Sequence, residues 1–115
     1  MIQLEKHFIR FGFDHTQLHR EKDIALYRRV SVDLRTLEIE PDPTIDFEVI
    51  KIEHQEANII SVGKASFNVV EKELYPKGKD WGNLGFTFTE YSKAKKLFDE
   101  LITEDKKLKI TLVKE

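Results

Sequence analysis

Apolar and polar residues alternate along much of the chain, the period-two pattern of half-buried β-strands. The alternation predicts strands at these segments, in chain order: Ile9–Phe13, Ile24–Val32, Phe47–His54, Ile59–Val62, Phe67–Val70, Leu84–Phe88 and Leu108–Leu112. Gly63, between the fourth and fifth of them, indicates a short hairpin. In Phe47–His54 the apolar residues first occupy odd positions (Phe47, Val49) and then even positions (Ile50, Ile52). This change of apolar phase indicates either a bulge or burial of both faces.

One segment has helical periodicity instead. Its apolar residues recur at the spacing of a single helix face, namely Ala94, Leu97, Phe98 and Leu101. We therefore predict a helix over Tyr91–Ile102 that ends near Thr103. The polar segment Asp14–Asp23 is predicted to form one or two helical turns.

The long connection Asp33–Asp46 completes the predicted architecture. It is acidic and contains Pro41 and Pro43, as is typical of a solvated loop. Strands that are close in sequence favour antiparallel pairing, and a sheet needs a covered face. We predict a single small α+β domain over residues 1–115, an antiparallel, curved β-sheet of about five to six strands covered by one C-terminal amphipathic helix.

Length, charge and cysteine content restrict the function classes. The 115 residues carry a formal net charge of −2 and no cysteine. Near-balanced charge argues against a dedicated nucleic-acid binder, and a chain without cysteine has neither disulfides nor a thiol nucleophile. Glu5, Lys6 and His7 stand where a signal peptide would be apolar, and no apolar run approaches the length of a membrane span. We expect a cytoplasmic protein that does not enter the membrane.

His15 and His19 form the one candidate metal pair. Their i, i+4 spacing would place both imidazoles on one face of a helix, and Glu21, Asp23 or His54 could add a third ligand. The segment HTQLH lacks the acidic residue of the HExxH motif. Two surface histidines are the favoured interpretation, so we expect no metal and no cofactor, with His15 and His19 kept as the alternative.

Carboxylates beside aromatic residues are the other candidate chemistry. Glu71 and Glu73 precede Tyr75, and Asp80 adjoins Trp81. Apolar surroundings can raise the pKa of a carboxyl and make it a general acid. No second carboxylate is fixed at a defined distance, and no nucleophile elbow or phosphate-binding loop is present. We expect no catalytic residue and no enzyme activity; a metal- or carboxylate-dependent hydrolase or nuclease is the alternative.

The segment Glu73–Phe88 is rich in glycine and contains the only tryptophan, Trp81. Aromatic residues on ordered loops are enriched at binding hot spots. The candidate partner-binding residues are Tyr75, Lys77, Lys79, Asp80, Trp81 and Phe86. The favoured alternative is that Trp81 folds back and plugs the core beneath its own loop.

The strand and helix around Phe88 and Ala94 resemble those of the RNA-recognition module. That module stacks bases on aromatic residues in the middle of the strand. Asn83 and Gly85 occupy those places here and cannot stack a base. RNA or DNA binding is therefore the less favoured function.

A second resemblance covers more of the chain. It is carried by Ala25–Arg29, Phe47–Ile52, Glu73–Pro76, Trp81–Gly82, Gly85–Phe88 and the helix with Ala94 and Phe98. Together these segments resemble small uncharacterised proteins carried by phages and mobile elements of gut-type bacteria; the segment Gly63–Val70 departs from that pattern. The resemblance implies no activity.

From these patterns we expect a small non-enzymatic accessory protein that binds another macromolecule, most readily a protein. Its partner is not identified by any motif. A homo-oligomer stays open, because the predicted edge strand Leu108–Val113 could pair between copies.

Overall fold

The computed structural model describes residues 1–114, with side chains as far as Lys106. The elements follow in the order β1 His7–Arg10, β2 Phe13–Glu21, β3 Ile24–Ser31, β4 Ile45–Lys51, β5 Glu53–Gln55, β6 Asn58–Val62, β7 Ala65–Val69, β8 Lys72–Leu74, a 3₁₀ turn at Gly78–Asp80, β9 Gly85–Phe88 and α1 Tyr91–Lys114. The predicted α+β class is confirmed.

A five-stranded antiparallel sheet in the order β1-β2-β3-β4-β9 forms the body. Its central strands are covered on both faces, so that three consecutive residues of β3, Ala25, Leu26 and Tyr27, are all fully buried. Glu48, Val49 and Ile50 of β4 are likewise consecutive and buried. Burial of both faces therefore accounts for the change of apolar phase in this strand.

Helix α1 covers one face of the sheet. Its apolar stripe packs on β3 and β4 in a first core cluster of Ile24, Leu26, Val49, Ala94 and Phe98. The helix starts at Tyr91 as predicted. Transfer of these side chains from water stabilises the helix on the sheet by roughly 1–3 kcal/mol for each large side chain.

The opposite face is covered by irregular chain rather than by a second helix. Its second core cluster consists of Ala25, Tyr27, Ile50, Ile52 and Tyr75, with Leu4, Phe8 and Trp81 packed around it. The N-terminal segment and the loop that follows β8 thus close this side. That loop also positions the candidate site.

Strands β5 to β8 form an arm that leaves the body. β5 pairs with β8, and farther out β6 pairs with β7 across a turn in which Gly63 has a φ of 61°. The predicted hairpin is confirmed, with β8 as a strand that the pattern did not predict. The arm makes the molecule wide and flat, with extents of 50 × 49 × 22 Å and a radius of gyration of 17.1 Å, against roughly 13 Å for a compact chain of this length.

The predicted strand Ile9–Phe13 is wrong as a continuous element. Phe11 and Gly12 form a tight turn between β1 and β2 and have φ values of 51° and 79°. Positive φ at both turn positions matches the right-handed twist of the flanking strands. Phe11 consequently points into solvent, with 84% of its surface exposed.

The helical turns predicted at Asp14–Asp23 are also wrong, because this segment is strand β2. It pairs with β1 on one side and β3 on the other, and that pairing outweighs the weak local preference of a polar sequence.

The predicted last strand at Leu108, Ile110 and Leu112 is wrong as well. The backbone continues α1 to Lys114 and does not stop near Thr103. Thr103 Oγ1 donates to the Asp99 carbonyl at 2.9 Å, a contact within the helix, and no glycine or proline interrupts the segment. The side chains beyond Lys106 lie outside the described residues.

No helix in the described part of the chain has an apolar stretch long enough to cross a membrane.

Candidate functional site

A pocket of about 220 Å³ opens between the β1–β2 turn and the loop that carries Trp81. Its apolar walls are formed by Phe11, Tyr75, Pro76 and Trp81, and its polar side chains are Arg10, His15, Arg29 and Glu48. The pocket therefore combines aromatic surface with ionisable groups, as ligand sites commonly do.

The carboxylate of Glu48 accepts hydrogen bonds from two side chains in this pocket, and Glu48 is only 4% exposed. The Tyr75 hydroxyl donates to Glu48 Oε1 at 2.6 Å, and Thr87 Oγ1 donates to Glu48 Oε2 at 3.1 Å. Trp81 Nε1 in turn donates to Thr87 Oγ1 at 2.8 Å. These bonds tie the Trp81 loop to β4 and β9, so the loop is held in one position.

Arg29 supplies positive charge beside this carboxylate. Its Nε and Nη2 both bind Asp46, at 2.7 Å each, and Nε lies 3.6 Å from Glu48 Oε1. Burial raises the pKa of Glu48 above its usual value, while the Tyr75 bond and the Arg29 charge oppose the rise. Glu48 thus binds its proton more tightly than an exposed glutamate does.

His15 lies at the floor of the pocket and is buried. Its ring is stacked on Phe8 at a centroid distance of 4.5 Å, and Nδ1 lies 3.1 Å from the Phe13 carbonyl. A carbonyl only accepts hydrogen bonds, so Nδ1 carries the proton and Nε2 presents a lone pair. Burial, helped by the charges of Arg29 and Arg10, lowers the pKa of His15 and favours the neutral ring.

Tyr75 serves this site as a hydrogen-bond donor. Its ring belongs to the second core cluster, and burial together with the adjacent Glu48 raises the pKa of its hydroxyl. The hydroxyl therefore keeps its proton, which leaves it unsuited to act as a nucleophile.

The structure places the predicted partner-binding residues in different environments. Tyr75 is buried, whereas Lys77 and Lys79 are exposed. Trp81 folds back over Gly85 and packs against the second core cluster. Its loop is therefore part of the core covering, and partner contact by Lys77, Lys79, Asp80, Trp81 and Phe86 stays a prediction.

His15 and His19 do not converge, because they lie on a strand and not on a helix. A bulge between Gln17 and His19 reverses the side-chain phase of β2. His15 consequently packs against Phe8, while His19 Nε2 lies 2.7 Å from the Tyr91 hydroxyl on the helix side. The alternative metal pair is therefore not formed.

Asp23, His54 and Glu73 bring ligand-type atoms within 4.8 Å of one another. Arg20 already donates to both carboxylate oxygens of Glu73, and the backbone N–H of Leu4 donates to one of them at 2.8 Å. The Arg20 bonds lower the pKa of Glu73 to about 2. This cluster is an ion-pair network that anchors the N-terminal segment, and Glu73 has a lowered pKa rather than the raised pKa that a general acid needs.

Glu48 and Arg29 were missed by sequence reasoning. An alternating strand ordinarily points its charged residues at water, so both residues are expected to be exposed. The sequence did contain one indication: the change of apolar phase around Glu48 favours a strand that is buried on both faces. A charged residue in such a strand must be paired with another group in the protein interior.

A second candidate surface lies on the β6–β7 hairpin, whose two faces differ in polarity. The register places Ile60 opposite Phe67 and Val62 opposite Ala65. We call this side the apolar hairpin face; it comprises the apolar residues Ile60, Val62, Ala65, Phe67 and Val69, with the polar Asn58 at its end opposite Val69. The reverse side carries Ile59, Ser61, Ser66 and Asn68. Much of this side is exposed: Ile60, Val62 and Phe67 are 46%, 63% and 57% exposed, while Val69 is half-buried.

No protein-family model, no curated protein and no solved structure matches this chain.

Proposed function

We propose that this protein is a small non-enzymatic accessory protein that binds another protein through its projecting β6–β7 hairpin. One observation carries the proposal: the hairpin alternates in polarity like a buried strand pair, yet its apolar face is exposed. Large exposed apolar patches rimmed by polar residues mark interaction surfaces.

Within the described part of the chain, the exposed β6–β7 hairpin lacks a second layer of protein against its apolar face. A two-stranded hairpin is at best marginally stable in water unless it packs on another layer. Covering Ile60, Val62 and Phe67 would contribute roughly 1–2 kcal/mol for each side chain. The outer edges of β6 and β7 are unpaired within the described residues, so a strand of the partner can also bond to their backbone.

Charge around the hairpin favours a protein over other partners. Lys64 is the only charged residue between Asn58 and Val69, and Glu56 and Glu71 flank the two strands. Nucleic acids and anionic membrane surfaces are attracted by clustered Lys and Arg, which the hairpin lacks. An apolar protein groove matches its composition.

A second copy of the chain is a weaker match. Five side chains on the apolar hairpin face would meet five others, whereas a stable interface uses roughly 20–30 residues a side. A partner protein can add to those contacts, because one of its strands can pair with the outer edge of β6 or β7 while its side chains cover the apolar hairpin face. The resemblance to proteins of mobile elements and the cysteine-free sequence agree with an accessory role in a reducing compartment.

Site-specific photo-crosslinking tests the proposal in the cells that produce the protein. A photoreactive residue replaces Phe67 on the apolar face or, as the matched control, the neighbouring Asn68 on the reverse face. We expect a defined protein adduct from position 67 and much less of it from position 68. The affinity of the identified partner should then fall at least about tenfold in Ile60→Ser and little in Ile59→Ser.

Other outcomes would assign the hairpin differently. Equal adducts from both positions, or an adduct made only of lipid or nucleic acid, would overturn the proposal. An adduct of twice the chain mass, together with a concentration-dependent mass in solution, would identify a homo-oligomer instead.

A further inference from the structure

We infer that the pocket beneath Trp81 binds a small organic acid, a ring-sized apolar molecule with a carboxylate at one end and a hydrogen-bond donor at the other. The inference is independent of the proposed function, because the pocket lies on the sheet body and the hairpin on the arm. It rests on three features of the pocket: its floor, its rim and its walls.

The floor presents two hydrogen-bond acceptors to the same space. His15 Nε2 and Glu48 Oε1 are 3.9 Å apart, too far for a direct hydrogen bond. The Phe13 carbonyl directs the His15 proton to Nδ1, and Nε2 is left as an acceptor. Glu48 Oε1 already accepts from the Tyr75 hydroxyl but, as a carboxylate oxygen, can accept a second hydrogen bond, while His15 Nε2 accepts none from a described residue. A hydroxyl or amine of the ligand therefore suits the gap beside Nε2.

The rim presents a cation with no carboxylate of its own. Arg10 forms no ion pair within the described part of the chain, and its guanidinium lies 4.7 Å from the centre of the Phe11 ring. Arg29, by contrast, is held by two hydrogen bonds to Asp46. Arg10 is therefore the group that can pair with an incoming carboxylate, and arginine is well shaped for that contact.

The walls set the size and the character of the ligand. Tyr75 and Trp81 border a space of about 220 Å³, with the exposed Phe11 at its mouth, below the roughly 300–1,000 Å³ of sites for drug-sized ligands. One aromatic ring with a short side chain fits that volume. An organic cation would also suit aromatic walls, but Arg10, the cation at the rim without a carboxylate partner among the described residues, favours an anionic group there.

The test uses 4-hydroxyphenylacetate as the probe and the indole N–H resonance of Trp81 as the reporter. Trp81 is the only tryptophan, so this signal is unambiguous. We expect a saturable shift with a dissociation constant of roughly 1 mM or tighter, as for a ligand of this size. Phenylacetate, which lacks the donor, and 4-hydroxyphenylacetamide, which lacks the charge, should each bind about tenfold more weakly.

Two arginine variants distinguish a specific contact of the ligand with Arg10 from a general effect of the protein's positive charge. Arg10→Gln should weaken binding of 4-hydroxyphenylacetate about tenfold, whereas Arg28→Gln, an exposed residue of β3 outside the pocket lining, should leave it unchanged. Absence of a saturable shift, equal binding of the acid and its amide, or equal loss in both variants would overturn the inference. Ile60→Ser should bind the probe like wild type, so the failure of one proposal does not imply failure of the other.

Discussion

The indole of Trp81 lies against the backbone of Gly85, so closely that a Cβ added to Gly85 would fall 2.4 Å from Trp81 Cζ3. The two residues are also joined by a short parallel bridge, and the Gly82 N–H donates to the Gly85 carbonyl at 2.7 Å. Only glycine allows this approach, because every other residue would displace the ring. Gly85 and Trp81 thus fix how the loop closes over the sheet.

Gly85→Ala should lower the free energy of unfolding by about 1–3 kcal/mol, because the new methyl group forces the indole out of its position. Urea unfolding followed by tryptophan fluorescence measures the loss and also reports a more solvent-exposed Trp81. Gly78→Ala is the matched control, since nothing lies within 4 Å of its added Cβ. Equal stability of the two variants would contradict this account of the loop.

The Arg20–Glu73 pair should make stability depend on pH. The folded state lowers the pKa of Glu73 from 4.5 to about 2, so the unfolded chain takes up this proton first as the pH falls. The stabilisation is therefore complete above about pH 4.5 and is lost as the pH falls towards about 2. Glu73→Gln should lack this stabilisation at pH 7, and its deficit relative to wild type should shrink across that window in urea titrations.

Glu71→Gln provides the control for that experiment, because Glu71 is exposed and two residues away. Its stability should follow that of the wild-type protein at each pH. A deficit of Glu73→Gln that persists unchanged at pH 2 would show that the lost stability comes from packing and not from the charge of Glu73.

Truncating a phenylalanine to alanine should lower stability strongly in the body and only slightly in the arm. Phe98→Ala removes a side chain that is only 5% exposed between α1 and the sheet and should cost about 3–5 kcal/mol. Phe67→Ala removes a largely exposed side chain and should change stability by less than about 1 kcal/mol. Thermal unfolding of both variants checks this, and a large loss for Phe67→Ala would mean that the hairpin is part of the core.

The tautomer of His15 is directly measurable. Burial lowers the pKa of His15 below 6.5, and the Phe13 carbonyl requires the proton on Nδ1. Nitrogen-detected NMR at pH 7 should therefore show a neutral ring protonated at Nδ1, which becomes charged only under more acidic conditions. A charged His15 at pH 7 would remove the acceptor from the pocket floor.

Much of the fold could be predicted from local patterns, because periodicity depends on which face of an element is buried. The stripe containing Ala94 and Phe98, the strand from Ile24 and the hairpin around Gly63 all have that origin. Phe11 and His19 could not be placed this way. Phe11 sits in a turn with an unusual φ, and the bulge before His19 reverses the phase that alternation assumes.

The pocket was beyond sequence reasoning for a related reason. His15, Arg29 and Glu48 come from three different strands and meet only because β2, β3 and β4 pair in one register. The spacing of these three residues along the chain does not predict that their side chains lie close together. Tyr75 was singled out as a surface residue, but it enters the core because the loop after β8 must cover a sheet face that no helix reaches.

The arm also bears on how this protein could change over generations. The hairpin lies beyond the short β5–β8 ribbon and contributes no residue to either core cluster. Substitutions between Asn58 and Val69 can therefore accumulate with little effect on whether the body folds. Under the proposed function, such substitutions would change which partner the protein binds while the body keeps its fold.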